Sequence, residues 1–160
     1  MTIENIKEIM DGVDIAALLP DIHKLVEKSG EIARVLILVG PVLILFLGLY
    51  YFLISPKEAN YTTGYRFHWG MGSEQAWQFM QKLAGMVWMV IGLVLLIAMA
   101  ILGGSLAEME IMDLLWQAAK YLAVQAVVAL AGCLLINLVV FIRFDYKGNR
   151  RLSWKELNDV

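Results

Sequence analysis

Three apolar stretches, residues 35–54, 83–107 and 121–142, contain no lysine, arginine, aspartate or glutamate, and they constrain this chain more than any other feature. A helix advances about 1.5 Å per residue and the hydrocarbon core of a bilayer is about 30 Å thick, so about 20 apolar residues cross it. Each stretch meets that length. A charge at mid-bilayer costs about 3 kcal/mol, which explains why none occurs inside them. The sequence therefore specifies an all-α integral membrane protein, a three-transmembrane-helix bundle with an amphipathic N-terminal helical arm. With 160 residues, 60% hydrophobic and 18% charged, the chain has too few polar residues for a soluble globule. A separate catalytic domain, which needs at least about 50 residues, does not fit in the flanks.

The chain divides into an acidic arm (1–34), a membrane domain (35–145) and a short tail (146–160). The N-terminus has no basic segment followed by a short apolar core and a small-residue cleavage site, so no removable signal peptide is expected. In the arm, Ile3, Ile6, Met10 and Val13 share one face of a first short helix that Gly12 can end. Pro20 suits the first turn of a second, with Ile22, Leu25 and Val26 aligned, and this helix can run into span one. The arm reads as a surface helix on the bilayer or on the bundle.

Lysine and arginine near span ends set orientation. Eight lie on the side of the first loop and the tail: Lys57, Arg66, Lys82, Arg143, Lys147, Arg150, Arg151 and Lys155. Five lie on the other side, against ten acidic residues that include Glu108, Glu110 and Asp113. The expected topology is a multi-pass protein of a bacterial inner membrane, N-terminus outside and C-terminus cytoplasmic. Tyr50, Tyr51, Trp116 and Tyr121 stand near the span ends, as interfacial aromatics do.

Small residues mark the faces that pack, because backbones approach closely only where side chains are small. In span two, Gly85, Gly92 and Gly103 fall close to one line at 100° per residue. Span three offers a complement in Gln125, Ala129, Gly132 and Ile136, with Cys133 and Asn137 beside it, so both amides are expected to face protein. Gly40 and Pro41 predict a kink in span one. The lone cysteine, Cys133, reads as a small packing residue.

Catalytic signatures are missing: no HExxH, no paired-cysteine zinc site, no glycine-rich phosphate loop and no nucleophile elbow. His23 and His68 have no second ligand at metal-binding spacing. The reading is a protein that is not an enzyme and has neither cofactor nor metal. The tail's basic cluster suits anionic headgroups, and Ser153 with Glu156 forms a capping-box pattern for a short helix carrying Trp154 and Leu157. Direct nucleic-acid binding is not expected, since no recognition module fits in so short a tail.

Residues 60–85 are richer in glycine and aromatics than a connector requires. Gly64, Gly70 and Gly72 provide turns, Ser73 can cap a helix, and Ala76, Trp77, Met80 and Leu83 then share an apolar face, with Trp77 expected to anchor at the headgroups. Arg66, between Tyr65 and Phe67, can meet lipid phosphate, backbone carbonyls or a protein partner.

On these residues the chain resembles the SdpI family of small bacterial membrane proteins, whose signature is a Gly-Tyr-Arg-Thr turn, a Ser-Met segment, a tryptophan and an Ala-Gln-Lys-like helix start. Gly64, Tyr65 and Arg66 carry the turn, Trp77 the tryptophan, and Gln81, Lys82 and Gly85 the helix start. Phe67 replaces the usual threonine, and Gly70-Met71-Gly72-Ser73 a more basic segment. The resemblance covers about residues 35–145. It implies immunity to, or sensing of, a membrane-active antimicrobial peptide by binding, with membrane lipids, the peptide toxin and a cytoplasmic regulator as partners. Two alternatives stay open. A small transporter or channel subunit would form a homo-oligomer with Gln125 and Asn137 lining a water path, whereas a structural accessory subunit would dock through the glycine stripe.

Overall fold

The computed structural model describes the backbone of residues 15–151 and the side chains of that range except 15–27, 107 and 108. The first arm helix and the tail helix expected at Ser153 lie outside the described residues. Within them the chain is helical: α1 (Ile15–Leu53), α2 (Glu74–Leu102) and α3 (Ile111–Arg143), with short 3-10 turns at His68–Gly70 and Gly103–Glu108. Three helical segments are long and apolar enough to cross a membrane: Lys28–Leu53, Glu74–Leu106, which runs past α2 into the 3-10 turn, and Ile111–Arg143.

The second arm helix and span one are one rod, so the boundary drawn between Arg34 and Val35 falls inside α1. The rod stops where Ile54 donates to the Tyr50 carbonyl (2.9 Å), two residues before Pro56, whose ring cannot continue a helix. Ser73 caps α2 as its position suggested: its backbone is extended and its hydroxyl accepts from the Ala76 amide at 3.1 Å. α3 begins ten residues before the expected Tyr121. Its extra turns carry Asp113 and Lys120 exposed, and Asp113 in the first turn opposes the positive end of the helix dipole. At about 1.5 Å per residue, the 33 residues of α3 are about 50 Å long, so the helix tilts or extends past the hydrocarbon.

The glycine stripe of span two packs against α1, not against span three. A Cβ added at Gly92 would stand 2.6 Å from the Leu45 backbone nitrogen, and one at Gly85 2.7 Å from that of Phe52. α1 returns the approach at Gly48, where a Cβ would meet the Met89 nitrogen at 2.5 Å. Backbone against backbone cannot yield as a flexible side chain can, and dispersion over such a short separation replaces the hydrophobic drive that lipid removes. Gly103 faces Ile37 and Arg34 of α1. α3 closes the bundle through Gly132, set against Ile91 and Trp88 of α2. Two apolar clusters result, one at the end holding Trp77, Met80, Ile136 and Phe144, the other around Ile37, Met99, Leu106 and Leu114.

α1 passes through Gly40 and Pro41 as one helix. Proline lacks the N–H that would pair with the carbonyl four residues earlier, here that of Ile37. Gln125 of α3, 5% exposed, supplies the missing donor: its Nε2 bonds the Ile37 oxygen at 2.9 Å. Gly40 makes room for this amide, since a Cβ there would lie 2.4 Å from Gln125 Oε1. The three residues act as one unit, a freed carbonyl, a donor and the gap that admits it. Replacing Gln125 by leucine should cost about 1 kcal/mol in unfolding experiments on the detergent-solubilised protein. In a Pro41→Ala background the restored N–H meets Ile37, and the same replacement should cost less than half as much; equal costs in both backgrounds would contradict the pairing.

Candidate functional site

The loop between α1 and α2 folds because its backbone groups find partners one by one. Asn60 Oδ1 accepts from the amides of Thr62 (3.0 Å) and Thr63 (2.8 Å), a side-chain-closed turn. Gly64 follows with φ +100°, a conformation that L side chains rarely adopt, and a Cβ there would also strike the Trp77 ring at 2.8 Å. The chain then extends past Gln81, whose amide holds Tyr65 at two points: Oε1 accepts from the Tyr65 N–H (2.8 Å) and Nε2 donates to its carbonyl (2.7 Å). Gln81 mimics a neighbouring β-strand, and it is 1% exposed.

Trp77 is the chief correction to the sequence reading. It is fully buried, with its indole N–H donating to the Pro56 carbonyl at 2.7 Å, so it forms the centre of the loop's core and does not anchor at the headgroups. The loop folds back over the ring, and a tryptophan whose N–H has an internal acceptor loses nothing by leaving the interface. Ala76 and Met80 are buried with it and Leu83 is half-buried, as expected of that face.

The Tyr65 side chain reaches into the bundle. Its hydroxyl donates to Asn137 Oδ1 at 2.9 Å and lies 3.3 Å from the Cys133 carbonyl, both on α3, while Tyr51 of α1 meets its ring edge-on at 6.1 Å. One phenol thus joins the loop to two spans. Burial first, and the nearby Cys133 thiol second, push this phenol above its ordinary value, so it remains a donor at physiological pH.

The segment after α3 completes the same end of the molecule. Asp145 accepts from the amides of Lys147 (2.9 Å) and Asn149 (2.8 Å), Gly148 takes φ +77°, and Phe144 bridges to Arg150. The Asn149 side-chain hydrogen bond holds the Asp145 carboxyl below its usual range, so this turn keeps its stabilisation at neutral pH and loses it only as pH falls through that lowered value. Ser73 Oγ, already capping α2, donates to the Gly148 carbonyl at 2.6 Å. Gly72 allows the contact, since a Cβ there would lie 2.5 Å from the Gly148 nitrogen. Phe67 stacks on Trp69, Trp69 meets Phe141 edge-on, and Arg143 covers Phe79 at 4.4 Å. Loop, α2 start and tail turn form one cap.

The cap brings together Gly64, Tyr65, Trp77, Gln81 and Asn137. Arg66 stays exposed and donates through Nη1 to the Tyr61 carbonyl, beside a Tyr61 side chain that is 84% exposed. Lys82 points elsewhere, into a cleft shared with Lys57. Gly85, Gly92 and Gly103 serve the α1–α2 contact, and Gln125 lies apart from the cap on the Ile37 carbonyl. Sequence reasoning missed Asn137 as the acceptor for Tyr65 and the tail turn as a partner of Ser73. The Asp145, Gly148, Asn149 pattern was a turn signal that could have revealed the second.

A model of the SdpI/YfhL protein family matches residues 57–143, more than half of the chain. The chain belongs to this family. The match starts just after α1 and ends with α3, a narrower range than the resemblance drawn over 35–145, and it contains the whole Gly64 to Gly85 signature. Span one packs into the family region without being part of the match. No curated protein and no solved structure matches the chain. For this SdpI-family protein, a double-mutant cycle on Tyr65→Phe and Asn137→Leu should give a coupling of about 0.5–1.5 kcal/mol in thermal unfolding. Strictly additive effects would show that the tether contributes nothing.

Proposed function

We propose that the protein confers immunity to, or senses, a membrane-active antimicrobial peptide by binding it, without catalysis. Family membership supports this reading, and one observation carries it: the family signature builds a tightly bonded cap that leaves Arg66 and Tyr61 exposed at the membrane end. Gln81 and the Tyr65 tether hold the residue before Arg66, and Phe67 after it stacks on Trp69, so binding there orders few additional groups. An exposed guanidinium bonded to the backbone of an exposed tyrosine suits a peptide, which offers carbonyls, carboxylates and apolar side chains together. A protein that sequesters such a peptide protects its host with no bond made or broken.

In this reading the cap faces the cytoplasm and the N-terminus lies outside. Among the described residues, Lys57, Arg66, Lys82, Arg143, Lys147, Arg150 and Arg151 gather at the cap end, as the positive-inside rule requires. A cytoplasmic regulator would then meet the same surface as the peptide. Conduction is the weaker alternative, because both intramembrane amides are engaged within the bundle, Gln125 on Ile37 and Asn137 on Tyr65.

A sensitive Gram-positive strain expressing the protein should survive at least one membrane-active bacteriocin from a panel at several times the concentration that kills the empty-vector strain. Arg66→Ala, matched for membrane abundance, should lose most of that protection. Survival no better than vector for every peptide, with the protein correctly inserted, would overturn the immunity reading.

A further inference from the structure

Where α1 ends and α2 begins, the two helices leave a cleft of about 440 Å³, lined by residues that include Phe52, Ser55, Lys57, Glu74, Gln78 and Lys82. That volume falls in the range of about 300–1,000 Å³ typical of small-molecule sites. Lys57 and Lys82 are exposed, and neither has an ion-pair partner among the described residues. The family signature accounts for the neighbouring Gln81, which faces Tyr65, but not for a second lysine opposite Lys82.

The charges in the cleft are ordered by depth. Glu74, Gln78 and Lys82 are spaced by four along α2 and so form one stripe, which spans about 12 Å at 1.5 Å per residue. Lys82 immediately precedes the apolar run that begins at Leu83, which places it at the hydrocarbon boundary. Glu74 stands two turns farther out, its carboxylate accepting from the Gln78 amide at 2.8 Å. On the α1 side, Phe52 lines the cleft, and Leu53 and Ile54 beside it are 70% and 69% exposed. From the hydrocarbon outward α2 presents apolar side chains, a cation, an amide and a carboxylate, and Lys57 lines the cleft from the end of α1.

A glycerophospholipid presents the complementary order: acyl chains, then a phosphodiester, then the terminal headgroup. We propose that this cleft binds one phospholipid headgroup that ends in a hydrogen-bond donor, an ethanolamine or a glycerol. The phosphodiester meets Lys57 and Lys82, the terminal ammonium or hydroxyl meets Glu74, and an acyl chain runs down past Phe52. Choline fits poorly, because its trimethylated nitrogen gives Glu74 no N–H or O–H. The site is separate from Arg66 and stands or falls independently of the peptide reading.

The test uses delipidated full-length protein in micelles, titrated with dioleoyl phosphatidylethanolamine, phosphatidylglycerol or phosphatidylcholine and read by native mass spectrometry. One ethanolamine or glycerol lipid should be retained per chain, at least tenfold more tightly than the choline lipid. Lys57→Gln with Lys82→Gln should weaken that binding at least tenfold, and Glu74→Gln should narrow the gap to choline. These exposed substitutions should leave the thermal unfolding of the protein unchanged. Inorganic phosphate at millimolar concentration should not displace the lipid. Equal retention of all three lipids, undiminished binding by the double lysine variant, or displacement by inorganic phosphate would each overturn the proposal.

Discussion

A backbone N–H or C=O that leaves regular helix inside a bilayer or a buried protein core has no water to turn to and must be met by the protein. This structure meets that requirement with side-chain amides. Gln125 donates to the Ile37 carbonyl that Pro41 leaves without a partner, and Gln81 takes both backbone groups of Tyr65 where the loop is extended. Trp77 does the same for the Pro56 carbonyl. Each of these side chains is nearly or fully buried, and each would be a costly orphan alone. Irregular backbone and buried polar side chains are thus two halves of one solution.

The helices supply the frame on which these bonds can close. Gly48, Gly85 and Gly92 let α1 and α2 approach until backbone meets backbone, which fixes the end of α1 relative to the start of α2. The loop that joins them is therefore anchored at both ends before it makes a bond of its own. Tyr65 then spans the gap to α3, and Ser73 links the α2 cap to the turn after α3. A family signature that looks like a short surface motif is, in three dimensions, the covering of a three-helix junction. What it leaves outward is Arg66, and that contrast between a bonded frame and an exposed cation is the basis of the functional reading.

The spans were legible because absence of charge over 20 residues has one physical meaning, and the Ser73 cap and Gly64 turn were legible because each depends on a few adjacent positions. The pairing of Tyr65 with Asn137 crosses 72 residues and that of Gln125 with Ile37 crosses 88, and no local pattern encodes either. Trp77 was misplaced for a related reason: an interfacial tryptophan and one roofed by its own loop share the same sequence position. The glycine stripe showed that span two would be approached closely, but a stripe does not carry the address of its partner, and α1 filled it instead of α3. Pro41 shows the same limit from the other side, since the residue that frees a carbonyl is visible and the donor that satisfies it is not.

Hydrogen–deuterium exchange on the protein in lipid nanodiscs tests the central claim most directly, at the single amide of Tyr65. If Gln81 holds that amide as a strand would, it should exchange as slowly as amides within α2, and Gln81→Leu should release it while α1, α2 and α3 keep their protection. Rapid exchange at Tyr65 in the wild-type protein, at the rate of an exposed loop, would contradict the account of the cap.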